Sequence, residues 1–343
     1  MLSAVTRRQF QRFRSLRRAW ISLLILVAVY LLSLFSEHLA NDRPLLLGYE
    51  GRLYFPTLNF YSAQTFGGRH KTEADYLALE QSAAFQEKKG WMIFPPIKSG
   101  PYRSFLDQPG NPPHPPSSAH WLGTDDSARD VLARLLYGFR TSMSFALALA
   151  ALATVLGILA GGIQGYLGGR FDLTAQRLIE IWSALPFLYV VILIGSIYGQ
   201  TFTVLLVVFA IFQWIGLSYY MRGEFYRLKT MTYTQAAAAL GASHGRILFR
   251  HILPNALNPV VTILPFTLIG GISSLTALDF LGFGLPPPTP SWGEMLQQGL
   301  KYLDAPWLAL SSILALFTTL LLAGFVGEGA RAAFDPKAHN PNP

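Results

Sequence analysis

Uncharged, strongly apolar runs recur along this chain, and polar segments of very unequal length separate them. A helix needs roughly 20 apolar residues to cross the hydrocarbon core of a bilayer. The first run, Ala19 to Ser36, holds 18 uncharged residues, including Leu23-Leu24-Ile25-Leu26-Val27, and predicts a short first span over 19–36. An Arg-rich start before an apolar run also fits a cleaved signal peptide. The following Ser36-Glu37-His38-Leu39-Ala40 offers no small-x-small cleavage site, which favours an uncleaved span. Arg140 and Arg170 bracket 29 uncharged residues, predicting a second span over about 142–163. Ile181 to Met221 is 41 uncharged residues long, enough for spans three and four folded at the turn Gly199-Gln200. Span five is predicted over Ala256–Leu278 and span six over Pro306–Val326. The pattern reads as an all-α integral membrane protein with six transmembrane helices.

The organisation that follows is an N-terminal arm (1–18), the first span, a long insert (37–140), a five-helix core (141–327) and a tail (328–343). The insert contains ten prolines, which argue against long helices there. It is expected to be large and irregular, with a small core around Tyr54, Phe55, Phe60, Tyr61, Trp91 and Phe94. Asp126 to Leu136 has helical spacing of Val131, Leu132, Leu135 and Leu136, and is expected along the membrane surface before span two.

Composition supports lipid as the main solvent. Only 13% of residues are charged, against about 25% in soluble domains. The distribution of the net charge of +8 says more than its size. Arg7, Arg8, Arg12, Arg14, Arg17 and Arg18 precede the first span without an acid, whereas residues 37–140 carry 11 basic and 11 acidic side chains. In 221–256, Arg222, Arg227, Lys229, Arg246 and Arg250 face Glu224 alone. Basic segments stay on the inner face of membranes, so both termini and the 221–256 loop are expected inside and the insert outside. A nucleic-acid surface would show one continuous basic face instead. With no cysteine there is neither a disulfide nor a thiolate metal site. No Gly-x-x-x-x-Gly-Lys-Ser/Thr phosphate loop, nucleophile–base pair or clustered histidine ligands occur, so neither catalysis nor a bound cofactor or metal is expected.

Within the spans, Gly157, Gly161, Gly165 and Gly169 recur every four residues, a spacing that lets another helix approach closely. Pro186 is expected to break the hydrogen-bond ladder of span three, and Pro259 and Pro265 that of span five. Broken helices border many transport paths. Glu180 and Asp279 are the acids nearest the apolar cores, and such groups at membrane depth are candidate path residues. Glu180 also stands three residues after Arg177, where a salt bridge would account for it.

The 221–256 loop is too polar to span and too regular for a linker. Thr234 to Leu240 is strong helix-forming sequence, and Gly241 can end it in a left-handed conformation. Ser243 can cap a second helix over His244–Ile252 that carries Arg246 and Arg250, with Pro254 stopping it. Two short helices joined at a glycine make a compact knob fit to dock on another protein.

Gln235-Ala236-Ala237, Gly241 and Leu253-Pro254 resemble the signature loop of ABC-importer permease subunits, although Gln235 replaces the usual Glu and His251 the usual Ile. Phe249-Arg250-His251-Ile252-Leu253-Pro254-Asn255-Ala256 looks like the oligopeptide and dipeptide branch. So do Leu122-Gly123-Thr124-Asp125 with Arg129-Asp130-Val131-Leu132, Leu278-Asp279-Phe280-Leu281-Gly282-Phe283-Gly284, and Ala333-Phe334-Asp335-Pro336. Trp121, Tyr54-Phe55-Pro56 and Phe66-Gly67-Gly68 look closest to the Yej-type permeases of microcin C and peptide uptake. The resemblance covers nearly the whole chain.

It implies a transport subunit of the bacterial inner membrane, with a periplasmic insert and cytoplasmic termini. ATP and Mg²⁺ would sit on partner ATPase subunits that grip the 235–254 loop. A second, homologous permease and a periplasmic peptide-binding protein would complete the assembly. Two other readings share some of these features: a nickel or metal-chelate importer permease, and a proton-coupled carrier using Glu180 and Asp279.

Overall fold

The computed structural model describes residues 4–334; Asp335-Pro336 of the closing motif and the rest of the tail lie outside them. Among the described residues, five helices are long and apolar enough to cross a membrane: Arg17–Leu34, Val131–Leu167, Phe202–Lys229, Asn258–Phe280 and Pro306–Phe334. Gly169–Ser183 and Phe187–Tyr198, bent by 73° at a short break, make a sixth if counted as one span. The break falls at Pro186, which has no N–H to donate and pushes the residue before it out of helical geometry.

Several boundaries depart from the sequence reading. Val131–Leu167 is one helix of 37 residues, so the second half of the stretch expected to lie along the membrane surface forms the first turns of a span helix. Its start is fixed by Asp130, whose Oδ1 accepts the Ala133 N–H at 2.8 Å. Phe202–Lys229 takes in Arg222, Glu224 and Arg227, which the charge pattern assigned to the loop. Pro259 breaks nothing: it stands in the first turn of Asn258–Phe280, where the missing N–H has no helical acceptor to lose. Pro265 lies inside that helix, which runs on through it.

The insert is not purely irregular and the chain is not all-α. Leu46–Tyr49 pairs antiparallel with Arg52–Tyr54 on one edge and Trp91–Ile93 on the other. Strands of three or four residues leave little alternation to read. One sheet face turns Leu47 and Tyr49 into a core with Phe66, Ala74, Tyr76 and Phe85. Tyr54, Tyr61 and Phe94 flank this core as expected, whereas Phe55, Phe60 and Trp91 are exposed. Trp91 lies over Gly48 on the other face, where a side chain at Gly48 would collide with it.

The chain forms two compact units. One holds residues to Val27, Ser142–Pro286 and from Phe317; the other holds Ala28–Thr141 and Pro287–Leu316. In the first unit, Phe145, Leu149, Val191, Leu205, Phe209 and Leu275 make an apolar core. Phe13 of the N-terminal helix Ala4–Ser15 packs with Ala19, Ala330 and Ala333. In the second unit, the helix Trp292–Lys301 buries Trp292 against Phe139.

Candidate functional site: the knob after the fourth span

The segment between Phe202–Lys229 and Asn258–Phe280 folds as the helix Thr232–Ala239, a glycine turn, and a second helical stretch from His244 to Ala256. Helix propensity explains the first element, since four alanines follow Gln235. Its end is a Schellman motif: the Ala242 N–H reaches the Ala237 carbonyl and the Gly241 N–H the Ala238 carbonyl, each at 3.0 Å. That closure requires a left-handed residue, and Gly241 has φ +79°.

The second stretch differs from expectation in two ways. Ser243 has the extended backbone of a cap and its carbonyl accepts the Ile247 N–H at 3.0 Å, but its side chain caps nothing. Ile247–Ile252 is a π turn, and Pro254 follows it without ending the helix. Pro254 stands in the first turn of Leu253–Ala256, directly after the π turn. The π turn is the feature the sequence did not disclose.

Two sets of contacts fix the knob. Ile247, Ile252 and Ala256 join Leu217, Met221, Phe225 and Leu228 in one buried cluster, with Leu253 packed beside it. The buried Thr234 hydroxyl donates to the Leu228 carbonyl at 2.9 Å. At the end of Val131–Leu167, the Tyr166 hydroxyl lies 2.6 Å from His244 Nδ1, and Lys229 Nζ donates to the Tyr166 carbonyl at 2.6 Å. The knob is thus tied to two span helices at once. Tyr166 and His244 were missed because residues 78 positions apart signal nothing to each other in sequence.

The remaining surface faces outward. Gln235, Ala236, Gly241, Ser243, Arg246, Arg250 and Pro254 are exposed, and Ala237 is half-buried. Leu240 is 89% exposed and Phe249 66%, unusual for apolar residues without a covering partner. Between the knob and Tyr166 lies a mainly apolar cleft of about 840 Å³, lined by Leu167, Gln235, Ala238, His244 and Leu248.

The span helices behind the knob are closely packed. A methyl group at Gly161 would overlap the Ser218 carbonyl, at Gly165 the Arg222 carbonyl, and at Gly157 the Leu217 side chain. Gly169 does not share this role: it opens the next helix with φ +58° and has no neighbour in reach. The candidate path acids already have partners. Glu180 pairs with Arg177 at 2.6 Å on an exposed surface. Asp279, buried at the end of its helix, accepts the Leu285 N–H at 2.7 Å and closes the Gly282–Gly284 turn. A side chain at Gly284 would run into Asp279, which accounts for the spacing of that motif.

The motif at 122–132 is likewise structural in its geometry. The Asp125 carboxylate accepts the N–H groups of Ser127 and Arg129 and the Arg129 guanidinium at 2.7 Å. Arg129 also reaches Glu294 at 2.9 Å, and the fully buried Arg134 pairs with Glu294 and donates to the Pro101 and Pro288 carbonyls. Arg134 Nε stands 3.3 Å from Asp125 but is not aligned for a hydrogen bond. Burial alone would lower the Arg129 pKa, but Asp125 and Glu294 hold it above its ordinary value. His120 pairs with Asp130 at 2.7 Å within the same unit.

Residues 129–340 match the family described as the binding-protein-dependent transport system inner membrane component. The inner membrane ABC transporter permease protein YejE of Escherichia coli K12 is 45% identical, the match covering 98% of each chain. The peptidoglycan transport system permease protein YejE of Agrobacterium fabrum is 41% identical over 98% of this chain and 94% of that one. The oligopeptide transport system permease protein OppC of Haemophilus influenzae is 35% identical over 64% of this chain and 70% of its own. The chain belongs to the binding-protein-dependent transport system inner membrane components, as an ABC transporter permease of the Yej type.

Proposed function

We propose that this permease carries peptides inward across the inner membrane, driven through its knob by separate ATPase subunits. The observation behind this reading is the knob's construction. Its exposed tip, around Gln235, Ala236 and Leu240 to Ser243, is mostly small-sided and carries Leu240, while its buried side is fixed to the ends of two span helices. Coupling needs a ligand that favours one of two states, and a rigid body grasped at its tip can pass that preference to the helices beneath. Peptide as cargo is supported by the name of the Haemophilus relative, an oligopeptide permease. The basic arm and the basic residues at 222–250 favour an inward knob and an outward insert. A second permease and an external peptide-binding protein complete the assembly in this reading, and ATP and Mg²⁺ belong to the ATPase subunits.

The test is reconstitution of the whole complex in vesicles, with ATP hydrolysis and peptide uptake measured together. Gly241→Pro cannot adopt φ +79° and is expected to abolish peptide-stimulated hydrolysis and uptake while the subunit still inserts. Wild-type values of both would end the proposal.

A further inference from the structure

A polar cleft of about 570 Å³ lies in the insert, lined by Glu37, Asp42, Glu73, Asp75, Tyr76 and three arginines. The arginines are Arg43, Arg103 and Arg140. Arg43 pairs with Glu73 at 2.7 Å and Arg140 with Glu37 at 2.8 Å. Arg103 serves two acids, Asp75 at 2.9 Å and Asp42 at 3.6 Å. Four carboxylates therefore face three guanidiniums, and the cleft is one positive charge short.

Two buried oxygens in the same place are left over. Tyr76 is only 2% exposed and its hydroxyl has no hydrogen-bond partner; nor has Glu73 Oε1, the oxygen that Arg43 does not take. A buried polar atom without a partner is destabilising, so such atoms in a ligand-sized cleft mark a place for an absent group. Tyr76, Glu73 and Arg43 line the same cleft. Burial, with Glu73 nearby, raises the Tyr76 pKa, so the hydroxyl stays neutral and its lone pairs can accept.

We infer that this cleft binds a primary ammonium group of a peptide, Glu73 Oε1 and the Tyr76 hydroxyl each accepting one of its hydrogens. An ammonium supplies three donors and one positive charge, which matches both the orphan oxygens and the missing charge. A carboxylate or phosphate would add to the surplus negative charge, and a neutral amide would leave it uncompensated. The inference rests on the peptide reading above, and it assigns the insert a role in receiving the amine end of cargo.

Calorimetric titration of the full chain in nanodiscs tests it with three probes: tri-alanine, N-acetyl-tri-alanine and N-acetyl-Ala-Ala-Lys. Acetylating tri-alanine is expected to weaken binding about tenfold or more, the scale of one charge-assisted hydrogen bond. Tyr76→Phe removes only the unpartnered oxygen, keeps the core-filling ring, and is expected to weaken tri-alanine binding several-fold. Glu73→Gln is expected to weaken it further. Binding of N-acetyl-Ala-Ala-Lys like tri-alanine would extend the site to lysine side chains; its failure to bind would restrict the site to the N-terminus. Equal binding of tri-alanine and its acetylated form, binding of neither, or indifference to Tyr76→Phe would overturn the inference. Uptake by the assembled complex is read separately. Peptide uptake without amine-selective binding sinks this site alone, and amine-selective binding in a complex that moves no peptide sinks only the cargo reading.

Discussion

Arg222 closes both arms of its guanidinium on Asp172, with Nε 2.5 Å from Oδ1 and Nη2 2.6 Å from Oδ2. The pair joins Gly169–Ser183 to Phe202–Lys229 two turns before the latter ends at the knob. Asp172 is buried and Arg222 is about one-third exposed. Removing one partner of a buried pair costs about 3–5 kcal/mol, and the partial exposure reduces that to about 2 here. Asp172→Asn is therefore expected to lower the unfolding midpoint in detergent by several degrees. An exchange of the two residues, Asp172→Arg with Arg222→Asp, is expected to recover part of the loss. A single substitution without effect would mean the pair is not formed.

Close helix packing gives a second prediction with an internal control. At Gly161 an added methyl meets the Ser218 backbone, which cannot swing aside as a side chain can. Overpacking of this kind costs about 1–3 kcal/mol, so Gly161→Ala is expected to destabilise the subunit. Gly223 lies in the facing helix with open space around it. There the gain in helix propensity is about 0.8–1.0 kcal/mol, and Gly223→Ala is expected to be neutral or stabilising. Melting curves of the two variants should move in opposite directions.

These two relationships show where the sequence is legible. Five long apolar helices and their order follow from length, because hydrocarbon thickness leaves a helix few alternatives, whereas the third predicted span is a pair of helices bent at Pro186. The glycine face of 157–165 was readable because one side of a helix repeats every three to four residues. The end of Phe202–Lys229 was not: Arg222 looks like loop until Asp172, fifty residues earlier, is placed beside it. Arg134 is similar, a cation in a span helix whose closest acid is Glu294, 160 residues on. The sheet stayed hidden because its strands, three or four residues long, hold at most two alternations. At the knob, the Gly241 turn was visible from composition, while the π turn at Ile247–Ile252 was not, since no residue type specifies it.

The tip of the knob separates docking from folding. Leu240 touches almost nothing of its own chain. Leu240→Ser is expected to leave the stability within about 0.5 kcal/mol of wild type, as for most surface changes. In the assembled transporter it is expected to reduce peptide-stimulated ATP hydrolysis several-fold. Loss of stability together with activity would place Leu240 in the fold rather than at an interface.

The insert carries a pH dependence. Burial alone would raise the Asp75 carboxyl, but the bidentate Arg103 and the Ala78 N–H outweigh it and hold its pKa below the ordinary carboxylate value. A carboxyl depressed on folding stabilises above its unfolded pKa, and that contribution is lost as pH falls through the folded value. Melting temperatures of wild type and Asp75→Asn are therefore expected to differ at pH 6, with the difference shrinking as pH falls below about 4. A constant difference down to pH 3 would mean that the aspartate is not depressed.

Glu294 decides how the second unit tolerates its buried arginines. It faces Arg134, which is fully buried, and Arg129, which is 7% exposed at its side chain, so two cations depend on one carboxylate and on Asp125. Glu294→Gln keeps the size and some hydrogen bonding but removes the charge, leaving two buried guanidiniums against one acid. Breaking such a pair costs about 3–5 kcal/mol, a large share of the stability of most domains. The exposed pair Lys88–Glu50 makes the comparison, because solvent and salt screen pairs of that kind. Glu294→Gln is expected to reduce the amount of folded subunit recovered from membranes sharply, and Glu50→Gln to leave it unchanged. Arg134→Met, which removes a cation without adding a polar group, is expected to restore part of the yield in the Glu294→Gln background. Failure of that rescue would show that Glu294 acts through something other than the charge it neutralises.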